Sequence, residues 1–312
     1  MPTRRNFILQ TGLAATALGL QPYTPFAMTR PSVAPLKLSL AQWSLHRSLE
    51  AGRVHAEDFA SIARNEYGIN AVEYVNSFYS GHGEDEGFWK DMRTRADNEG
   101  VRSLLIMVDG EGELGAPTKE ERRQAVENHL KWIRASKILG GHSIRVNAFG
   151  RGNRDSLEGA LTESLGNLAD YGKQAGINIL IENHGLHTSD AAFIVGIIRE
   201  VNSPYLGTLP DFGNWCLSVE WGSTQGNTCK EIYDPIKGVG QFLPFARGVS
   251  AKSYDFGKDG DQTLIDYPGL LRLVKESGYE GYIGIEYEGM ALSEPEGIRA
   301  AKKLIERIWD GL

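Results

Sequence analysis

Along the chain, short apolar runs alternate with longer segments in which apolar residues recur three and four positions apart among charged ones. The runs at 37–43, 71–76, 103–109, 143–148, 178–183, 206–211, 248–252 and 282–287 read as strands. The segments VHAEDFASIARNEYG, EERRQAVENHLKWIRASKILG, LTESLGNLADYGKQAG, DAAFIVGIIREV and PGLLRLVKESG, with AAKKLIERIW at the end, read as amphipathic helices, several of them closed by glycine. Alternation of strand and helix implies a parallel sheet. Eight such units favour closure into a single (β/α)8 TIM barrel, an α/β fold, over an open doubly wound sheet, and no GxGxxG follows the first strand. The 312 residues exceed the roughly 250 that such a barrel takes, so 31–312 are expected to form one barrel domain.

Strand alternation then selects the residues that face the barrel axis. In the last strand Ile283, Ile285 and Tyr287 are expected to pack outward on helices, which turns Gly284, Glu286 and Glu288 inward. In the fifth, Glu182 and His184 share a face with Leu180; in the sixth, Asp211 shares one with Leu209 and Gly207. A carboxylate facing inward at the end of an apolar strand is costly unless paired or metal-bound. Any one of the three acids could be an ordinary ion-paired or surface residue, but Glu182, Asp211 and Glu286 occupy matching positions at strand ends that open on one face. Three such oxygens suit one hard divalent cation.

Other polar and aromatic residues at strand ends read as pocket lining. They are Gln42, Trp43 and His46 after the first strand, Glu73 and Asn76 on the second, and Arg145 and Asn147 on the fourth. Trp43, Trp215 and Trp221 suit stacking on the face of a ring-shaped ligand, although Trp43 could equally be core packing, Arg145 a buried ion pair and His46 an exposed loop residue. His55, His82 and His129 read as surface residues. Lys252 either hydrogen-bonds a developing oxyanion, or donates a proton if burial lowers its pKa, or pairs with one of the acids.

Charge and the N-terminus narrow the setting. A net charge of -7 disfavours nucleic acid as partner. Thr3-Arg4-Arg5-Asn6-Phe7-Ile8, followed by the apolar stretch 8–20, resembles a twin-arginine export signal, so residues 1–30 are expected to be signal and linker, and the mature protein periplasmic or secreted. No membrane-spanning helix is expected after it. In an oxidising compartment Cys216 and Cys229 can pair; free thiols are the alternative, and neither has the spacing of a zinc site. GKDGDQ lacks the continuation of a phosphate loop and reads as a turn.

The motifs IENHG, TLPDFGN, VSAKSYDF and GYIGIEYEG resemble those of the xylose isomerase-like, sugar phosphate isomerase/epimerase barrels, over essentially the whole chain from KLSLAQWSLH onward. The resemblance implies one divalent metal ion (manganese, cobalt, magnesium or zinc) on Glu182, Asp211 and Glu286. It implies that Glu182 and Glu286 are the paired acid and base of proton abstraction next to a carbonyl. Two positions depart from the family: Ser250 stands where a ligating histidine is usual, which leaves His184, Ser250 or water to complete the shell, and Asn214 replaces a substrate-binding histidine. The function implied is a metal-dependent isomerase or epimerase of a small carbohydrate, with β-elimination from a 3-keto-glycoside as the alternative. A phosphodiesterase of the endonuclease IV branch would need histidines at strand ends where this chain has none, and a non-catalytic sugar-binding barrel is the remaining reading. Many barrels of this family form homo-oligomers.

Overall fold

The computed structural model describes residues 35–223 and 229–312. The expected export signal lies outside the described residues. Eight strands are joined by helical connections: β1 (Leu38–Ala41), α1 (His46–Glu50), α2 (Phe59–Tyr67), β2 (Ala71–Val75), α3 (Glu86–Asn98), β3 (Arg102–Val108), α4 (Lys119–Leu139), β4 (Ser143–Val146) and α5 (Arg154–Ala175) make the first part. The second part comprises β5 (Asn178–Glu182), α6 (Ala191–Val201), β6 (Leu206–Leu209), α7 (Pro235–Phe242), β7 (Val249–Ser253), α8 (Tyr267–Glu276), β8 (Ile283–Tyr287) and α9 (Glu294–Gly311). Among the described residues no helix is long and apolar enough to cross a membrane.

Every strand pairing is parallel, in the order β6-β5-β4-β3-β2-β1-β8-β7, as the strand and helix alternation requires. The ends of this sheet meet through single bridges, Thr208 with Ala246 and Asp211 with Ser250, rather than a continuous ladder. Pro210, which has no N–H to donate, ends β6 at this seam and offers its carbonyl to Ser250 N at 2.9 Å. Two candidate site residues therefore lie on the seam itself.

Ile283, Ile285 and Tyr287 join the large apolar layer between sheet and helices, while Ala41, Ala71, Val75, Leu105, Met107, Leu180 and Leu209 form a separate, smaller cluster inside the barrel. Besides the five-residue α1, two helices, α3 and α7, are not marked by the periodicity. The first is mostly polar and buries only Trp89, Met92 and Ala96, and the second contains two glycines. Both start with a side-chain cap, Asp85 on Phe88 N and Asp234 on Lys237 N.

Candidate active site

Glu182 closes β5, Asp211 follows β6 by two residues and Glu286 lies in β8. One carboxylate oxygen of each lies within 4.8 Å of the others, and all three side chains are buried. Asn183, beside Glu182, turns away from the axis and clamps the next loop: its Oδ1 accepts from Asp211 N at 2.8 Å and its Nδ2 donates to the carbonyls of Asp211 and Asn214. Asp211 Oδ1 accepts from Gly213 N at 2.7 Å and Asn214 N at 2.8 Å. The position of this carboxylate is thus fixed by backbone.

Ser250 Oγ lies 2.8 Å from Asp211 Oδ2 and 2.8 Å from Glu286 Oε2. A hydroxyl has one hydrogen, so it can donate to only one of these oxygens. The other contact needs a proton or a cation between the oxygens. Glu182 Oε2 is buried with no hydrogen bond; Arg145 Nε stands 2.8 Å from it without hydrogen-bond alignment.

Two cations face the acids. Arg145 pairs with Glu182 and, through Nη1, with Asp109 Oδ1 at 2.5 Å. Lys252, 2 % exposed, places Nζ 3.2 Å from Glu286 Oε1 and 3.1 Å from Glu288 Oε1. With the Asn214 amide turned to satisfy both its ends, Asn214 Oδ1 also accepts from Lys252 Nζ at 3.2 Å. Asp109, Glu182, Asp211, Glu286 and Glu288 are five carboxylates against two cations, Arg145 and Lys252. The excess shows in the acidities. Burial pushes Asp211 up to about 7 despite Lys252, and burial together with the neighbouring acids raises Glu182 well above the carboxylate range despite Arg145. Burial also opposes the charge on Lys252, but Glu286, Glu288 and Asp211 outweigh it and raise the ammonium's pKa. Lys252 is therefore a fixed, paired cation, and the lowered pKa considered for it from sequence is corrected by its three acidic neighbours.

A hard divalent cation fits this arrangement. The donors are three converging carboxylates, one of which has a buried oxygen without a hydrogen bond, in a site short of positive charge. Among the described residues His184 stands outside the converging cluster. Its Nδ1 lies 2.7 Å from Asn147 Oδ1, an acceptor, so Nδ1 carries the hydrogen and Nε2 is left as the basic nitrogen. Burial, with Arg145 and Lys252 nearby, lowers its pKa well below the usual value and keeps the ring neutral.

A cavity of about 340 Å3 opens over these groups, lined by Trp43, Asp109, Arg145, Lys252, Glu286 and Glu288 among others. His184 and Trp221 also reach it. His46 instead backs Trp43, its ring stacked at 4.8 Å with Nδ1 on the Trp43 carbonyl. Asn147 orients His184 and lines an adjoining cavity, and Asn214 acts on Lys252. Glu73 is not brought to the cavity: it sits one layer deeper, 1 % exposed, accepting from Ser39 Oγ at 2.6 Å. Gly284 makes room for it, since a Cβ there would stand 2.7 Å from Glu73 Oε1. Gln42 is likewise structural, holding Val75 N and Tyr79.

Two further expectations change. Trp215 is fully buried against Tyr233 and Phe242 and cannot meet a ligand, and His129 is buried with Nδ1 on the Ala125 carbonyl rather than at the surface. Cys216 and Cys229 are joined as a disulfide, with Cα atoms 5.8 Å apart. Asp109 was missed as a site residue although it ends its strand, RSLLIMVD, in the same apolar-then-acid pattern as the triad. It holds both Arg145 and Asn147, at 2.5 and 2.6 Å, and those cationic and donor neighbours outweigh its burial and lower its pKa.

A family model described as xylose isomerase-like TIM barrel matches residues 62–308. A Mus musculus protein bearing the name hydroxypyruvate isomerase is 25% identical over 217 residues, 63% of this chain and 73% of that one. The C-glycoside deglycosidase alpha subunit of Arthrobacter globiformis is 36% identical over 64 residues, 20% of this chain and 18% of that one. Among solved structures, the apo form of 3-keto-D-glucoside 4-epimerase from E. coli superposes with a TM-score of 0.63 at 14% identity, covering 81% of this chain and 94% of that one, a likeness of fold.

Proposed function

The chain belongs to the xylose isomerase-like TIM-barrel family, and from that premise we propose that it is a sugar isomerase or epimerase that moves a proton on the carbon next to a carbonyl. The observation that carries the reading is the convergence of Glu182, Asp211 and Glu286 at the edge of a cavity whose wall includes Glu286, Arg145 and Lys252. The carbon acid loses its proton to one glutamate and receives one from the other on the opposite face, which inverts the centre. One of Glu182 and Glu286 serves as donor and the other as acceptor in one direction; the roles reverse in the other. Lys252 and Arg145 face the charge that develops on the substrate oxygens. A divalent cation held by Glu182, Asp211 and Glu286 would supply the Lewis acidity that stabilises that charge.

The acid-rich cavity disfavours anionic sugars, so the substrate is a neutral keto sugar or keto-glycoside rather than a sugar phosphate. Elimination is the second reading, kept by the local match to a deglycosidase subunit. With a carbonyl at C3, the base takes the C2 proton, a C1–C2 double bond forms and the group on C1 leaves with the bonding electrons. Incubation with manganese and a panel of ketohexoses and 3-keto-glycosides in D2O, followed by proton NMR, separates the two. A deuterated epimer or isomer supports the first reading, free aglycone the second, and absence of exchange with every substrate overturns both.

The reading extends to export through residues 1–30, to a compartment in which the Cys216–Cys229 disulfide would persist. Replacing Arg4 and Arg5 by lysine should retain the protein in the cytoplasm; unchanged export would overturn the twin-arginine assignment.

A further inference from the structure

Beside the main cavity lies a second one of about 290 Å3, lined by Glu111, Glu113, His129, Phe149, Glu220 and Trp221 among others. Trp221 lines both, so it borders the site of chemistry and the neighbouring space alike. This residue is unusual twice over. It is a large aromatic left 49% exposed, and its φ of 65° is left-handed backbone that a tryptophan adopts only against a steric cost.

The surroundings hold it there. The Cys216–Cys229 disulfide brackets its loop. The same loop is laid on the turn that follows β5: Leu186 N donates to the carbonyls of Cys216 and Val219, and Cys216 N to that of Gly222. Gly185 and Gly222 allow this approach, because a Cβ on either would run into the other's backbone. Phe149 and His184 meet the indole near right angles, at 5.5 and 4.9 Å between ring centres. An aromatic wall fixed in this way is a stacking surface prepared before any ligand arrives.

The second cavity offers acceptors held in place. Glu111 takes hydrogen bonds from Trp132 Nε1 at 2.6 Å and Lys131 Nζ at 3.0 Å, and Glu113 one from Arg151 at 2.8 Å. Each carboxylate has lone pairs to spare, which suit hydroxyl donors and repel anions.

Resting on the sugar-enzyme reading above, we infer that the substrate is a neutral glycoside of two rings: the ring that carries the carbonyl occupies the main cavity, and a second sugar ring packs on Trp221 and Phe149 with its hydroxyls on Glu111 and Glu113.

Calorimetry with unreactive probes tests it without turnover. Methyl glucosides and a methyl galactoside serve as one-ring probes, and maltose, cellobiose and lactose as their two-ring counterparts. At least one disaccharide should bind the wild-type enzyme about tenfold more tightly than its one-ring counterpart. That ratio should fall towards one in Trp221→Ala and in Phe149→Ala, and be largely kept in Trp221→Phe. A ratio near one for every pair in the wild-type enzyme overturns the inference, as does a ratio that survives both alanine variants. Deuterium exchange into a free keto sugar reports separately on the chemistry, so a failed second-ring site and a failed enzyme assignment give different results.

Discussion

Replacing Glu73 by glutamine should make the protein's stability less dependent on pH, with a sign that follows from where this carboxyl sits. Glu73 lies inside the barrel, fully buried, with one oxygen on Ser39 and the other, Oε2, without a hydrogen bond. Burial pushes its pKa up to about 7 from 4.5, against the hydrogen bond from Ser39 that favours the charged form. Because the folded pKa is the higher one, the associated stability is fully present below pH 4.5 and is lost as pH rises through about 7. The difference of roughly 2.5 pH units is worth about 3 kcal/mol at 1.36 kcal/mol per unit. Glutamine stays neutral and escapes that loss. Its amide hydrogens, facing a place where Oε2 has no partner, cost about 1 kcal/mol or more at every pH alike. Urea denaturation with EDTA at pH 5 and pH 8.5 isolates most of the difference: relative to wild type, Glu73→Gln should gain about 2.5 kcal/mol between the two conditions, since pH 5 already lies above the unfolded pKa. Equal offsets at both pH values, or a gain at the acidic end, would refute the reasoning.

Two further outcomes follow from the same site. Asp211 must lose its proton to ligate a cation, and with its pKa pushed up to about 7, manganese should raise the melting temperature more at pH 8 than at pH 6 in differential scanning fluorimetry; an equal rise would count against the carboxylate site. The Cys216–Cys229 disulfide closes a loop with a sequence separation of 13, so Cys216→Ser with Cys229→Ser should cost about 3 kcal/mol in chemical denaturation, and unchanged stability would show that the loop is held without it.

Much of this architecture is legible in the chain because a barrel strand writes its two faces in alternate residues. Ile283, Ile285 and Tyr287 against Gly284 and Glu286 distinguish helix-facing from axis-facing positions without coordinates. The acids at the ends of three apolar runs could be grouped for the same reason. What alternation does not carry is depth. Glu73 and Glu286 both face the axis, yet one lies a layer below the cavity and the other in its wall. Nor does it carry the electrostatics of convergence: the charge on Lys252 is set by Glu286 and Glu288 from β8 and its end and by Asp211 from the loop after β6. Trp215 and Trp221 are six positions apart on one loop, and only the tertiary fold decides that the first is core and the second half exposed. Helix α3 escaped because its buried stripe is only three residues wide, Trp89, Met92 and Ala96.

In the proposed reaction Glu182 and Glu286 exchange protons with opposite faces of one substrate carbon. Once a substrate is identified, its two epimers should be incubated separately in D2O with wild type, Glu182→Gln and Glu286→Gln. Wild type should deuterate and interconvert both. Each variant should lose interconversion by at least about a hundredfold while still exchanging deuterium into one epimer only, a different one for each variant. Interconversion at wild-type rates in either variant, or loss of exchange from the same epimer in both, would contradict the paired roles assigned to these two glutamates.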